Sequence, residues 1–150
     1  MTSITITGVK VRRAMVPLRR ALATSFGVFT HGPFLFIDLE CAGGIVGRVN
    51  GFTFNALAQR LVPEVLSELA NQFKGRAISL ADVPAVHDAG QKKLMLSGHE
   101  GITQLGLSMF DMAMHDALGR ASGQRSIACG GVSVVRFKLT IAAAWGSLSL

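Results

Sequence analysis

"FDMAMHDALGRASGQ", residues 110–124, closes the most strongly patterned segment of the chain. Read backwards from it, Ile102, Leu105, Met109, Met112, Ala113 and Ala117 recur three and four residues apart, the period of a helix with one buried stripe. "SGHE" at Ser97–Glu100 places a serine three residues before an acid, the pattern of a capping box, and is expected to open that helix. Gly123 stands where a C-terminal cap belongs. Asp111 and Asp116 are five apart on this helix, about 500° of rotation, so they point roughly 140° from each other and do not form a working carboxylate pair.

Moving toward the N-terminus, a second helical period begins after Asn55. Ala56, Leu57, Leu61, Val65, Leu66, Leu69 and Phe73 form its stripe, and Gly75 ends it. Pro63 falls inside and predicts a kink or two abutting helices. "SLAD" at Ser79–Asp82 is another capping-box pattern. Further back the period drops to two. Ile4, Ile6, Val9, Val11, Ala14 and Val16 read as a strand with an irregularity near Gly8, closed by Pro17. "ATSFGVFTHG" reads as a flexible loop, "PFLFIDLE" and "IVGRVNGF" as two more strands, and Gly43-Gly44 as the positive-φ residues of the turn between them. The expected fold is α+β: a three-stranded antiparallel meander followed by a helical bundle, with an irregular or disordered C-terminal tail.

Composition narrows the function classes. Hydrophobic residues make up 49% and charged residues 16%, which suits a globular chain and not a disordered one. The net charge of +6 comes from scattered Lys and Arg, with Arg12, Arg13, Arg19 and Arg20 flanking a strand end. With no Tyr and one Trp there is little to stack on bases, so no nucleic-acid partner is expected. Cys41 and Cys129 are too few for a zinc cluster or a disulfide framework, which suggests a reduced, cytoplasmic setting. His31, His87, His99 and His115 are never at metal-ligand spacing. The N-terminus lacks the apolar core of a signal peptide, and no run is long enough to cross a bilayer, so no membrane partner is expected either. Neither "AGGIVG" nor "GGVS" has the strand-to-helix context of a phosphate loop.

The pattern Asp111-x-Ala113-x-x-Asp116-Ala117-Leu118-Gly119-Arg120 resembles the signature of the mandelate racemase and muconate lactonizing enzymes of the enolase superfamily. "VPLRRALATSFGVFTHGPFLFIDLECAGGIVGRVNGF", residues 16–52, is similar to the amino-terminal meander of the same family. The resemblance covers roughly residues 3–124 and implies an α+β capping domain that precedes a catalytic (β/α)8 barrel. In such enzymes Mg²⁺ held by the barrel stabilises an enediolate after a Lys or His removes the proton α to a carboxylate. The capping domain brings neither base nor metal ligand; its two loops fold over the barrel mouth and exclude water. Carried onto this chain, the first lid loop is Thr24, Ser25, Phe26, Gly27, Val28 and Phe29, and the second is Gly51, Phe52, Thr53 and Phe54. Phe26 and Phe54 either close on a partly apolar substrate or belong to the domain's own core. Asp111 and Asp116 are implied to be structural hydrogen-bonding groups.

After Gln124 the resemblance breaks, returning only at Gly130–Ser133. With a permitted choice of codons, moving the frame by one base turns Val135–Leu148 into a segment similar to the family's linker and first barrel strand. The glycine this shift creates across Trp145-Gly146 is forced, since Trp has a single codon. The same shift returns a family-like segment from Arg125–Cys129. The expectation is therefore a capping domain over 1–124, an out-of-frame tail over 125–150, and no barrel. Such a fragment would have no catalytic and no metal residues of its own and no cofactor, and would be inactive. Mg²⁺ and a small carboxylate substrate would belong to the parent racemase, dehydratase or cycloisomerase. The surface stripped of its barrel would favour self-association, so the alternative reading is a non-catalytic oligomerisation or partner-binding module.

Overall fold

The computed structural model describes residues 2–25, 27–98 and 100–123. Alternation at the N-terminus builds β1 (Ser3–Thr24), which turns back into β2 (Gly27–Cys41). A 3-10 turn at Ala42–Gly44 leads to β3 (Val46–Phe52), with Gly43 and Gly44 at φ of 74° and 76°. Helix α1 (Ala56–Phe73), the short β4 (Ala77–Ser79), α2 (Val83–Leu94) and α3 (Ile102–Ala121) follow. The sheet is antiparallel with order β3-β2-β1-β4, so the α+β class holds and a fourth strand joins the expected three. Three residues are too few to carry a period-two signal, which is why β4 escapes the sequence.

One face of the sheet is packed and the other is open. Leu35, Ile37 and Leu39 of β2 alternate inward with Ile4 and Ile6 of β1 and meet Leu66, Leu69 and Phe73 of α1 and Met109, Phe110 and Met114 of α3. Each such side chain contributes about 1.5–3 kcal/mol by leaving water. Across the open face run the ion pairs Lys10–Glu40, Arg12–Asp38 and Arg48–Asp38. Exposed pairs of this kind give about 0–1 kcal/mol, so the buried face decides stability. Helix α3 lies so close to β3 that a Cβ on Gly47 would overlap the Ala113 carbonyl, and one on Gly51 would overlap Met109 Cε. Gly47 of "VGRVNGF" is therefore required by helix–sheet contact, while Gly51 faces only the flexible end of Met109.

Several local expectations hold. The β1–β2 register shifts between Ile6 and Gly8, the irregularity read at Gly8. Ser79 and Asp82 form a reciprocal capping box, with Ser79 N and Oγ both bonded to Asp82 Oδ2. Gly75 and Gly123 have the positive φ expected past helix ends. Asp116 is a structural acceptor: Oδ2 takes the Arg48 backbone N–H at 2.8 Å and Arg120 Nε at 2.6 Å, tying α3 to β3.

Others are corrected. Pro17 does not close β1. The strand runs on to Thr24 because only Ser3–Thr5 pair with β4, so Pro17 lies on an open edge where its missing N–H costs no ladder bond. Of the two outcomes expected at Pro63, the pair of abutting helices is excluded, since Pro63 lies inside a single helix, α1. Leu57 and Leu61 are exposed, and the buried stripe of α1 runs instead through Ala58, Val62, Leu66, Leu69, Ala70 and Phe73. Ala58 and Val62 stand beside Leu57 and Leu61 and are equally apolar, so periodicity could not phase this end of the helix. Met112 likewise faces outward on α3 while Leu107, Phe110, Met114 and Leu118 are buried. Ser97 does not cap α3. Gly98 and Gly101, at φ of 95° and 70°, turn the chain twice before Ile102, and Thr103 Oγ1 ties the turn by donating to the Gly98 carbonyl. The readings made for Phe26, His99 and the tail over 125–150, Cys129 included, lie outside the described residues.

Candidate functional site

The register of the sheet gathers both candidate loops at one end. β2 pairs with β1 from Cys41 to His31 and again from Phe29 to Gly27, but with β3 only from Glu40 to Phe34. Beyond the Phe34–Phe52 pair the β1–β2 hairpin continues alone for seven residues of β2, roughly 23 Å at about 3.3 Å per residue. The expected loop "ATSFGVFTHG" is thus a two-stranded ribbon: Ala23 pairs with Val28 and Leu22 with Phe29. Its tip closes at Thr24 and Gly27, where Thr24 Oγ1 donates to the Gly27 carbonyl at 3.1 Å and Gly27 takes φ 129°. Thr24, Ser25 and Gly27 are exposed, and Phe29 is half-buried. Val28 is 68% exposed, and Met15 and Leu22 also face solvent.

β3 ends at the base of this ribbon. Thr53 is buried; its N–H and Oγ1 both donate to the Pro33 carbonyl, at 2.9 and 3.0 Å. Asn55 caps α1 by accepting from Ala58 N at 2.8 Å. Between these two anchors Phe54 is held at φ 63°, a left-handed conformation unusual for a large side chain. Its ring is 66% exposed and meets Phe52 edge-on at 4.9 Å, and Phe52 meets the buried Phe34 at 5.4 Å. Phe54 therefore lies outside the core, at the exposed end of an aromatic row.

A cleft of about 410 Å³ opens beside Phe54. Thr53, Phe54 and Asn55 form one wall, and Gly101, Gln104 and Ser108 the other. The sequence reading included Thr53 and Phe54 but not the far wall. Gln104 and Ser108 are polar positions four apart beside the apolar stripe of α3, a signal that marks any solvated helix face equally well. Gln59, which proves to reach the ribbon base, was not singled out either.

Among the described residues no group of three or more His, Cys, Asp or Glu side chains could hold a metal ion. His115 bonds locally to the Asp111 carbonyl, with the Asp111 carboxylate 3.5 Å away. The described residues thus bring together no carboxylate cluster of the kind that holds Mg²⁺. Cys41 is buried, and desolvation pushes its thiol up to about 11, so it is not a ready nucleophile. No described helix is long and apolar enough to cross a membrane.

Residues 6–128 match the model of the mandelate racemase/muconate lactonizing enzyme N-terminal domain. Among solved structures, a Bradyrhizobium enolase complexed with magnesium and mandelic acid is 31% identical, with a TM-score of 0.76, over 89% of this chain and 36% of that one. L-Talarate dehydratase from Polaromonas sp. JS666, complexed with Mg and L-glucarate, shares the fold at 21% identity and a TM-score of 0.66, over 80% of this chain and 33% of that one. A dipeptide epimerase from Enterococcus faecalis V583, complexed with Mg and L-Leu-L-Tyr, does so at 18% and 0.62, over 79% and 32%. The chain spans about a third of the length of these proteins. By this match and by its fold, the chain belongs to the mandelate racemase/muconate lactonizing enzyme family of the enolase superfamily, as an N-terminal domain.

Proposed function

We propose that this chain is the substrate lid of a cytoplasmic enzyme that removes the proton α to a carboxylate with the help of Mg²⁺, as a racemase, dehydratase or cycloisomerase. The observation that supports this most is the register, which puts the ribbon tip and the Phe52–Phe54 turn at the same end of the sheet. Thr24, Ser25 and Phe29 on the ribbon and Phe52 and Phe54 on the turn, together with Phe26 of the same loop sequence, then close over the reacting centre. The ribbon excludes water, and the strained, outward Phe54 presents an apolar edge to the substrate. Metal and base belong to the part of the parent that lies beyond this domain, so the 150-residue chain alone is inactive.

Incubating the purified chain with Mg²⁺ and a panel of hydroxy acids in D₂O, and following the α-proton by NMR, tests this. No exchange is expected, and turnover would refute the reading. A reading-frame break between Gln124 and Val135 is part of the same proposal. Resequencing that DNA and finding the barrel encoded in the shifted frame supports it; finding no strand–helix alternation in any frame sinks it.

One observation favours a second reading, a non-catalytic module that self-associates. Phe54, Leu57 and Leu61 expose apolar surface at the start of α1. Sedimentation across a concentration series separates the two: a strict monomer removes the second.

A further inference from the structure

We propose that Gln59 is a positioning residue that sets the base of the β1–β2 ribbon, and so the pivot about which the lid moves; this rests on the lid reading above. Gln59 projects from α1 and is only 8% exposed. Its Nε2 donates to the Ala14 carbonyl at 2.9 Å and to the Phe34 carbonyl at 3.1 Å. Ala14 and Phe34 are cross-strand partners, and Phe34–Phe52 is the last pair that β3 makes with β2. One amide therefore grips both strands at the point where the sheet narrows from three strands to two.

Two neighbouring features make this point a fixed base. Thr53 holds the Pro33 carbonyl from the β3 side. The Phe34 and Phe52 rings lie so close over Gly32 that an added Cβ would stand 2.8 and 3.2 Å from them. Past Gly32 the hairpin has no β3 partner, and its register slips between Pro17 and Leu22. A buried amide is costly unless its donors are satisfied, and an apolar side chain would pack here without that risk. Joining two strand carbonyls from a helix is what the amide adds. Motion is then confined to the ribbon from Met15 to Gly32, while Ala14 and Phe34 stay with the core.

Native-state hydrogen exchange on the full chain tests this with two variants. Gln59→Met keeps length and bulk but loses both donors. Amides of Ala14, Val16 and Phe34 should exchange about tenfold faster relative to those of α3, the size expected for losing such bonds. Gln59→Glu cannot donate when ionised but can donate once when protonated, so part of the protection should return as pH falls. Unchanged base amides in Gln59→Met, a rise only in step with α3, or no recovery in Gln59→Glu would overturn the assignment. Exchange without substrate judges the clamp alone. The lid reading fails separately if, in a longer chain carrying the catalytic part, shortening the ribbon leaves kcat/KM unchanged.

Discussion

The two halves of the β1–β2 hairpin are built by one pair of strands and held by different forces. From Ile4 to Ala14 and from Phe34 to Cys41 the pair is backed by α1 and α3, and its inward side chains are buried. From Met15 to Gly32 the same two strands have no third strand, and Met15, Leu22 and Val28 face solvent. An isolated hairpin is marginal in water, because ladder hydrogen bonds alone barely offset the ordering of the chain. Length of strand is therefore a poor guide to rigidity here; what lies against the strand decides. On the lid reading proposed above, such a division lets the ribbon move while the packed half stays fixed.

The contrast can be broken by substitution. The largest effect is expected in the packed half: Phe110→Ala removes a fully buried ring stacked on Phe73 and should cost about 3–5 kcal/mol by urea denaturation. Leu22→Ala in the ribbon should cost under about 0.5 kcal/mol in the same assay, since its side chain is half exposed on an unsupported hairpin. A comparable loss from both would erase the distinction. Next in size is Gly47→Ala, expected to cost about 1–3 kcal/mol because the new methyl meets the Ala113 backbone. Gly51→Ala should cost less, since the flexible Met109 tip can move aside. Asp116→Asn should cost about 1 kcal/mol by weakening the tie between Arg48 and Arg120.

The smallest effect sharpens the comparison at the second capping site. Asp82 titrates below its usual 3.8 because the Ser79 hydroxyl, and then the Ser79 N–H, bond to its carboxylate. Its contribution is complete above the unfolded value and disappears as pH falls through the lower folded one. The melting-temperature gap between the natural chain and Asp82→Asn should therefore narrow below about pH 4. A constant gap would mean that the capping box does not depend on charge.

Features written in local chemistry were legible in the sequence: the Gly8 irregularity, the Gly43-Gly44 turn, the Ser79–Asp82 box, Gly123, and the family signature around Asp111 and Asp116. What was missed depends on tertiary contact. Pro17 looked like a strand end because its tolerance depends on β1 having no further neighbour there. Leu57 and Leu61 looked buried because Ala58 and Val62 beside them are equally apolar, and only the sheet chooses between them. Of the candidate site, Phe52, Thr53 and Phe54 were found through resemblance. The opposite wall at Gln104 and Ser108, and the reach of Gln59, come from elements far apart in the chain that no short pattern joins.

Limited trypsin digestion under native conditions tests the division between packed frame and ribbon most directly, for Arg19 and Arg20 lie on the ribbon while Arg48, Arg60 and Lys92 lie on β3, α1 and α2. Among these sites the account expects Arg19 and Arg20 to be cut first, with the far-ultraviolet circular dichroism of the helices preserved after the nick. Cleavage at all five with one common rate, accompanied by loss of the helical signal, would contradict it.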